Sequence, residues 1–453
     1  MSENQAHVAV VGAGIGGLTL AYRLAQRGFK VSLYERSDSY GGLAASLDYH
    51  GVSMDRYYHT ILSSDLSMQR LIEETGVGEL LHFTPTKQGF YDGGKLYPFN
   101  SARDLLTFPP LNLFQRFRLG LQVITAQFEN DVERLDREPV EQWLVRVSGR
   151  GVYEKVWKPL LRAKFDTAMA DVPATYIWSR LKRMLSTRKG VTSKEMMCYL
   201  EGGYFTLLKA LADRVSQLGV TIHLATAVEE VLIRDGRAIG LRIEGEEVPF
   251  DGVISTLPSS VLADLIPQAP ADLRARLEPQ GYLAVICPLL ILRKRLTPYY
   301  VLNITDGTVP FTAVVETTNL IDPKYVGDYH LVYLPKYVTV DSSWWTKDPA
   351  EIQLEWTGHF RRMFPNFDES LIVDFIMQRA RFVEPLRPLG TSLPIPSIET
   401  EVAGLFMSNS AMVYPELNNG ESITRLAERV VNVVAAQLSP ASATPDHVSV
   451  VAH

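Results

Sequence analysis

The first 35 residues pass from one short apolar run to another through a glycine-rich turn and an amphipathic segment. Residues 7–11 form an apolar run that stops at glycines, which predicts a buried strand. Residues 18–27 carry apolar side chains at helical spacing until Gly28 ends the pattern. A second apolar run over residues 30–35 predicts another strand. The pattern therefore indicates a strand–helix–strand unit with a crossover connection.

Further along, helical and strand patterns mix without a clear linker. Residues 71–200 favour helices, and residues 204–218 predict another amphipathic helix. After residue 220 the patterns predict strands over 221–224, 228–233, 238–243, 252–256, 287–292, 299–304, 311–316, 330–335 and 404–408. They predict helices over 349–364 and 422–437. We therefore expect an α/β fold in which one domain is assembled from separated segments and a second, mixed α+β domain is inserted into it.

Composition narrows the class of protein. The chain has 453 residues, with 45 Lys and Arg against 51 Asp and Glu, so a net charge of −6 gives no broad cationic surface for nucleic acid. Its two cysteines, Cys198 and Cys287, can form neither a disulfide framework nor a four-ligand zinc site. The chain shows no signal-peptide pattern, no metal-ligand cluster and no membrane-spanning apolar run, so we expect a cytoplasmic protein without a metal.

One apolar and basic segment has two interpretations. Residues 105–128 place Arg116 and Arg118 among Leu, Phe and Ile. The segment could lie on a membrane surface as an interfacial amphipathic helix. The interpretation we favour is a partly buried helix that covers an apolar substrate cavity.

The glycine-rich turn carries the clearest chemistry. Gly12, Gly14 and Gly17 fit the spacing G-x-G-x-x-G, with Gly16 inside it, directly after a predicted strand and before a predicted helix. The first glycine permits a tight turn, the second lets a pyrophosphate approach the backbone, and the third lets the helix pack on the strand. The N–H groups of the helix N-terminus favour phosphate. Glu35, at the end of the next strand, is placed to accept hydrogen bonds from ribose hydroxyls.

A second glycine pair, Gly41 and Gly42, follows Glu35 and Arg36 closely. Residues 8–46 resemble the N-terminus of the superfamily of FAD-dependent amine oxidases, protoporphyrinogen oxidases and phytoene desaturases. In that superfamily the second pair lies along the FAD pyrophosphate. The resemblance implies FAD bound by both glycine motifs, Glu35 and Arg36. This chain has Leu43 where the family often has arginine.

The resemblance covers nearly the whole chain. Residues 201–208 and 251–258 are similar to segments that return to the cofactor, and Val228 begins a stretch similar to the strand whose backbone contacts adenine. Residues 404–409 and 418–423 resemble the closing motif of the family, which implies cofactor contacts for Asn409 and Ser422. The family usually has Gly-Asp where this chain has Ser408 and Asn409.

The same resemblance implies three functions. The one we favour is an FAD-dependent oxidoreductase that transfers hydride from a C–N or C–C bond of a small molecule to flavin N5. Residues 55–60 and 91–100 resemble loops of UDP-galactopyranose mutases, so a redox-neutral sugar-nucleotide mutase is the alternative, although the matching C-terminal arginine–tyrosine pattern is absent. The third is a non-catalytic binding protein similar to Rab GDP-dissociation inhibitors, and the intact glycine motifs argue against it.

Three side chains are candidates for the substrate side. His59 follows two tyrosines, and either faces flavin and substrate or is a hydrogen-bonded structural histidine. Lys164 either binds an anionic group or a water near the flavin, or forms a salt bridge on its helix. Arg387 stands between prolines that fix its backbone, which suits either a phosphate or carboxylate clamp or a structural ion pair.

We expect the FAD-binding domain to comprise residues 1–70, 201–275 and 395–438. Residues 71–200 and 276–394 would form the substrate domain, and residues 439–453, without any periodic pattern, a disordered tail. The expected partner is a small-molecule substrate.

Overall fold

The computed structural model describes residues 5–165, 169, 171–186, 196–391 and 395–438; for residues 184–186 it describes the backbone alone. The expected tail, residues 439–453, lies outside these ranges. The strands are β1 His7–Val11, β2 Lys30–Tyr34, β3 Ser46–Tyr49, β4 Val52–Asp55, β5 Ile61–Leu62, β6 Leu81–Pro85, β7 Gln88–Asp92, β8 Lys95–Pro98, β9 Met196–Leu200, β10 Thr221–His223, β11 Val228–Arg234, β12 Arg237–Ile243, β13 Glu246–Pro249, β14 Gly252–Ser255, β15 Tyr282–Ile286, β16 Leu289–Leu292, β17 Val301–Ile304, β18 Ala313–Glu316, β19 His330–Tyr333, β20 Lys336–Val338, β21 Ile372–Ile376, β22 Arg379–Pro385 and β23 Leu405–Met407. The helices are α1 Ile15–Gln26, α2 Leu66–Glu74, α3 Ala102–Leu106, α4 Leu113–Thr125, α5 Val132–Arg137, α6 Val140–Ser148, α7 Arg150–Val152, α8 Lys158–Phe165, α9 Thr175–Ser186, α10 Tyr204–Gln217, α11 Ser259–Leu265, α12 Ala271–Leu277, α13 Ser343–Thr346, α14 Pro349–Met363 and α15 Gly420–Leu438.

The first and last strands of the described chain, β1 and β23, belong to one parallel sheet. Its strand order is β10–β2–β1–β14–β23, and every neighbouring pair is parallel. Val8 pairs with Val31 on one side and with Gly252 on the other. Except for the edge strand β10, the strands are largely buried on both faces, which explains why they are continuous apolar runs rather than alternating ones. The predicted strand–helix–strand opening is confirmed, and the sheet recruits strands from three separated stretches of sequence.

A second, seven-stranded sheet has the order β21–β16–β19–β18–β17–β7–β8. The four strands predicted between residues 287 and 335 are β16, β17, β18 and β19, and all lie in this sheet. The expectation of helices over residues 71–200 was too simple, because β6, β7, β8 and β9 also fall there. Their pairing partners come from distant parts of the chain: β7, for example, pairs with β17. Local periodicity carries no information about such a partner.

The segment 105–128 is not one helix. α3 ends at Leu106 and α4 begins after Asn112, whose side chain accepts a hydrogen bond from the Gln115 N–H and caps the new helix. α4 is partly buried, as the favoured interpretation expects: Leu119 is 3% exposed, whereas Phe114 and Phe117 on the outer face are 68% and 66% exposed. A substrate cavity beneath it stays a prediction. Within the described ranges, no helix has the length and apolar character needed to cross a membrane.

Candidate functional site

The first glycine motif forms a tight turn between β1 and α1. Gly12 has a φ of +101°, a conformation that L side chains rarely adopt. A Cβ added at Gly17 would lie 1.8 Å from the Gly12 carbonyl oxygen, so α1 can pack on the turn only with glycine there. A Cβ at Gly16 would meet the Ile423 Cγ2 atom at 3.0 Å, which places the first turn of α15 against the first turn of α1.

The second glycine pair lies beside the first. The Gly41 N–H donates to the Ala13 carbonyl at 2.8 Å, and a Cβ at Gly42 would lie 3.5 Å from the Gly14 Cα. A Cβ at Gly14 would have only the Gly41 carbonyl oxygen nearby, at 3.9 Å. Gly14 is therefore the one member of this group whose missing side chain leaves space that the protein itself does not fill. Gly14 is also the N-cap of α1 and offers no side-chain cap to the N–H groups of the first turn.

Glu35 leaves β2 next to this turn. One carboxylate oxygen accepts from the Ala13 N–H at 2.9 Å and the other accepts from the Ser37 N–H at 3.0 Å. Each carboxylate oxygen has a second lone pair for a further donor. The Glu35 carbonyl also accepts from the Thr226 N–H at 2.8 Å, so the stretch that leads into Val228 runs alongside. Arg36 is exposed beside it.

The closing motif returns to the same end of the sheet. Asn409 follows β23 and is buried; its amide donates to the Ser259 hydroxyl at 3.1 Å, and its side-chain oxygen accepts from the Ala411 N–H. The Ser422 hydroxyl donates to the Leu417 carbonyl at 2.6 Å, and the Ser422 N–H donates to the Asn419 side chain. Asn409 thus orders the turn after β23, and Ser422 orders the backbone at the start of α15. Their cofactor contacts stay predictions.

These features fit a dinucleotide. The space beside Gly14, the side-chain-free start of α1 and the glycine pair at Gly41 are suited to a pyrophosphate. Glu35 retains acceptor capacity for ribose hydroxyls. All lie at the carboxyl ends of parallel strands, where ligands bind in sheets of this type. The sequence alone placed Gly12, Gly14, Gly16, Gly17, Glu35, Gly41 and Gly42 in one cradle, and the structure brings them together.

His59 packs on Tyr204, whose backbone N–H donates to Asp55, an acid that the sequence did not single out. The His59 Nδ1–H donates to the Tyr57 carbonyl at 2.8 Å, and the imidazole lies 4.9 Å from the Tyr204 ring, centroid to centroid. Burial lowers the pKa of His59 to about 4, so the ring is neutral at pH 7. The Asp55 carboxyl accepts from the Tyr204 N–H at 3.1 Å, and burial raises the pKa of Asp55 to about 7. A neutral imidazole and a carboxyl group with a pKa of about 7 thus both contact Tyr204 at the start of α10.

Lys164 belongs to a buried ionic cluster. Its Nζ lies 3.2 Å from a Glu384 oxygen and 3.3 Å from the centre of the Tyr337 ring. Arg180 contacts the other Glu384 oxygen at 3.3 Å. Burial by itself would raise the pKa of Glu384, but Lys164 and Arg180 outweigh it and hold that pKa below its ordinary value. The Tyr337 hydroxyl lies 3.1 Å from that of Tyr58, which links the cluster to the loop before His59.

Arg387 has both a structural contact and a position facing a cleft. Its Nε lies 3.5 Å from an Asp136 carboxylate oxygen, and its guanidinium lies 5.0 Å from the centre of the Tyr414 ring. The Tyr414 hydroxyl also donates to Asp136. The structural ion pair considered for Arg387 is therefore present. Whether the residue also contacts substrate stays a prediction.

A cleft of about 110 Å³ is lined by Arg387 together with Arg180 and Glu384, whereas His59, Asp55 and Lys164 are not among its lining residues. Its walls come from α9, from the end of β22 with the residues after it, and from the segment between β23 and α15. Its aromatic lining is Phe165, Tyr176 and Tyr414. Its charged lining combines two arginines and three acids: Arg180, Arg387, Asp171, Glu384 and Glu416. Because the segment 413–418 leads into α15, whose first turn touches α1, the cleft and the glycine cradle share one structural element.

Sequence reasoning missed Asp55, Arg180, Glu384 and Asp136. Asp55 stands in a stretch that resembled a mutase loop, and no local feature of the sequence marks it as buried. Nothing local marks Glu384, which meets Lys164 across 220 positions of sequence. Within the described ranges, no group of three or more His, Cys, Asp or Glu side chains is arranged to hold a metal ion.

Comparison with known proteins gives the family and the fold. The family described as "Flavin containing amine oxidoreductase" matches residues 15–391. The 15-cis-phytoene desaturase of Synechococcus elongatus is 25% identical over 287 residues, which cover 58% of this chain and 60% of that protein. The chain thus spans somewhat over half the length of the curated relatives it matches.

Solved structures with the same fold are more distant in sequence. A putative protoporphyrinogen oxidase from Exiguobacterium sp. 255-15 has a TM-score of 0.73 at 18% identity and covers 96% of this chain and 99% of its own. Reduced UDP-galactopyranose mutase also has a TM-score of 0.73, at 16% identity, covering 95% of this chain and 94% of its own. At these identities the likeness concerns the fold alone.

Proposed function

This chain belongs to the family of flavin-containing amine oxidoreductases, and from that membership we propose that it oxidises a small organic molecule bound in the cleft beside the glycine cradle. The family confirms the expectation of an FAD-dependent oxidoreductase, and it sets aside the non-catalytic alternative. The substrate and the bond that is oxidised, C–N or C–C, are our proposal. The observation that carries it is the shared segment 413–418, which borders the cleft and leads into the helix that touches α1.

The residues that would hold FAD are those of the cradle. The turn at Gly14 and the pair Gly41–Gly42 would admit the pyrophosphate, and Glu35 would accept from ribose. Val228, Asn409 and Ser422, with Arg36, complete the proposed contacts. Bound flavin supplies an acceptor for a hydride or electron pair. The protein binds and orients the substrate and keeps water out of the site.

The cleft suits a substrate with an apolar body and an anionic group. Phe165, Tyr176 and Tyr414 provide aromatic surface. Glu384 is ionised and contacts two cations, Lys164 and Arg180, so this cluster carries net positive charge. Arginine binds carboxylate and phosphate through several N–H donors at once. We therefore propose Arg180 and Arg387 as the residues that orient the substrate, with Lys164 as a positioning residue behind Glu384.

His59 and Asp55 are the groups that could hold or move a proton. Neutral His59 uses Nδ1–H for the Tyr57 carbonyl, which leaves its Nε2 as an acceptor. Asp55 is partly protonated near pH 7. We propose that His59 faces the reacting part of the substrate and that Asp55 fixes the backbone at Tyr204, on which the imidazole packs.

Two organisational points belong to the same proposal. We propose that residues 1–70, 201–275 and 395–438 form the FAD-binding domain and that residues 71–200 and 276–394 form an inserted substrate domain. The seven-stranded sheet draws its strands from the second set of ranges, which supports this division. We also propose a cytoplasmic location, because Cys198 and Cys287 are unpaired and free thiols are typical of reducing compartments.

A redox-neutral mutase is the second candidate, and one observation favours it. Two arginine–tyrosine stacks line the cleft: Arg180 lies 3.3 Å from the centre of the Tyr176 ring, and Arg387 stacks on Tyr414. The sequence analysis singled out neither pair: Tyr176 and Arg180 lie one turn apart on α9, and Arg387 and Tyr414 lie in separate segments. Such a pair of stacks suits a diphosphate flanked by a nucleoside.

Anaerobic mixing separates the two candidates. The purified holoenzyme is mixed without oxygen with amines, with polycyclic or isoprenoid compounds and with UDP-hexopyranoses. Oxidation of a substrate must bleach the oxidised-flavin absorbance in the same step, because the electrons have no other acceptor. Conversion of a UDP-hexopyranose to its furanose form only after dithionite reduction, without bleaching by any compound, would replace the oxidoreductase with the mutase.

A further inference from the structure

The outer face of α4 is an exposed apolar stripe, and the Arg118 guanidinium lies 5.9 Å from the centre of one of its rings, that of Phe114. The stripe consists of Leu113, Phe114, Phe117, Leu121 and Ile124, with Phe128 just beyond the helix end, and their exposed fractions run from 46% to 72%. At about 100° per residue, the five that lie within α4 fall in one arc of about 100°. An isolated exposed apolar side chain is ordinary, but five on one arc form a contiguous patch.

The opposite face of α4 is fixed in the protein. Leu119 and Ala126 are 3% and 2% exposed, and Gln122 is fully buried. The Gln122 side-chain oxygen accepts from the Trp157 Nε1–H at 3.1 Å, and the Ala126 carbonyl accepts from the Trp178 Nε1–H at 3.0 Å. The helix is thus anchored through one face, and the stripe is held outward rather than being a loosely packed part of the core.

Basic side chains flank the stripe. Arg116 donates to the Phe108 carbonyl at 2.9 Å, Arg118 donates to the Val147 carbonyl at 3.3 Å, and Lys155 donates to the Pro110 carbonyl at 2.9 Å. Carbonyl oxygens satisfy these donors without cancelling their charge. No salt bridge between described residues involves these three or the exposed Arg103, and Asp104 is the one nearby acid on α3.

We propose that the α4 stripe docks this protein on the surface of a lipid bilayer that carries anionic headgroups. The six apolar side chains would enter the boundary between headgroups and acyl chains, while the flanking cations meet lipid phosphates. The chain as a whole carries a charge of −6, so an anionic surface would repel it except through a locally basic face such as this one. A second copy of the chain is a poorer occupant, because two like-charged faces would oppose each other.

Sedimentation of the holoenzyme with vesicles tests the proposal. Vesicles of phosphatidylcholine are compared with vesicles that also contain phosphatidylglycerol, and bound protein is measured by its flavin in the pellet. We expect the holoenzyme to sediment with the anionic vesicles, less with the neutral ones, and less at high salt. The stripe variant Phe114→Ser/Phe117→Ser should bind at least about tenfold more weakly per lost aromatic side chain.

Two further variants make the result specific. Leu354→Ser removes an isolated apolar side chain on α14 that is 76% exposed, and it should bind as the parent does. Arg103→Gln/Lys155→Gln keeps the stripe and should lose about fivefold per cation on anionic vesicles only. Flavin content and melting temperature equal to those of the parent show that each variant is folded.

Three results would overturn the proposal. The first is no sedimentation of the parent with anionic vesicles. The second is equal sedimentation of the parent and the stripe variant. The third is a concentration-dependent dimer in sedimentation velocity that the stripe variant abolishes, which would assign the stripe to self-association. None of these outcomes depends on the substrate, so the proposed function and the docking surface are tested separately.

Discussion

Gly14 and Gly17 are three residues apart, but the structure assigns them opposite roles, and the paired substitutions Gly14→Ala and Gly17→Ala test this. A methyl group at Gly17 would lie 1.8 Å from the Gly12 carbonyl oxygen, far inside van der Waals contact. Because the clashing atom belongs to the backbone, no side-chain rotation can relieve it, and α1 must move away from the turn. Overpacking of this kind costs about 1–3 kcal/mol, and we expect the upper end of that range or more.

A methyl group at Gly14 meets no protein atom closer than 3.9 Å, and the residue has an ordinary extended backbone with φ −70° and ψ 179°. Alanine at this N-cap position costs up to about 1 kcal/mol. The same methyl group, however, projects into the space assigned to the pyrophosphate. We expect FAD affinity to fall by at least about tenfold, which is about 1.4 kcal/mol, and to vanish in the bulkier Gly14→Val.

The assay measures both quantities on each protein. Urea unfolding of the FAD-free form reports the stability of the fold, and titration with FAD reports affinity. In the FAD-free form, Gly17→Ala should lose several times more stability than Gly14→Ala, which loses at most about 1 kcal/mol. Gly14→Ala should instead lose the extra stabilisation that added FAD gives the parent. Parent-like FAD affinity in Gly14→Ala would refute the placement of the cofactor. Equal loss of FAD-free stability in both variants would refute the distinction between the two glycines.

Three more expectations concern charged groups. Glu35→Gln keeps one acceptor but loses charge assistance, so titration should show FAD binding weaker by about 1–2 kcal/mol; unchanged affinity would remove Glu35 from the ribose site. The raised pKa of Asp55 keeps it protonated in the fold while the unfolded chain ionises, so stability falls as pH rises from about 4 to about 7, by about 1.4 kcal/mol per pH unit. Asp55→Asn should abolish this part of the slope in melting curves, and an unchanged slope would contradict the burial of the acid. Arg387→Ala should raise KM for carboxylated or phosphorylated substrates more than Asp136→Asn does, whereas equal KM values would leave Arg387 with its ion pair to Asp136 alone.

The sequence by itself determined the cofactor cradle. The turn at Gly12, the close packing at Gly17 and the carboxylate of Glu35 lie within one strand–helix–strand unit, whose geometry is set by local conformation and a right-handed crossover. Hydrophobic runs likewise located β1, β2, β14 and β23 of the parallel sheet and β16 to β19 of the second sheet, because strands buried on both faces are continuous apolar runs. The sequence did not predict β7, β8 and β21 of the second sheet. The predicted features depend on contacts between neighbours in sequence, which a pattern can record.

Only the tertiary structure decided the composition of the cleft and the fate of the segment 105–128. Lys164, Arg180 and Glu384 meet from three elements, and the ionisation of Glu384 depends on that meeting. The outward direction of the α4 stripe was equally hidden, because an amphipathic pattern shows that a helix has an apolar face without showing which face the protein covers. Here Leu119 and Gln122 occupy the covered side, and the larger apolar side chains remain exposed.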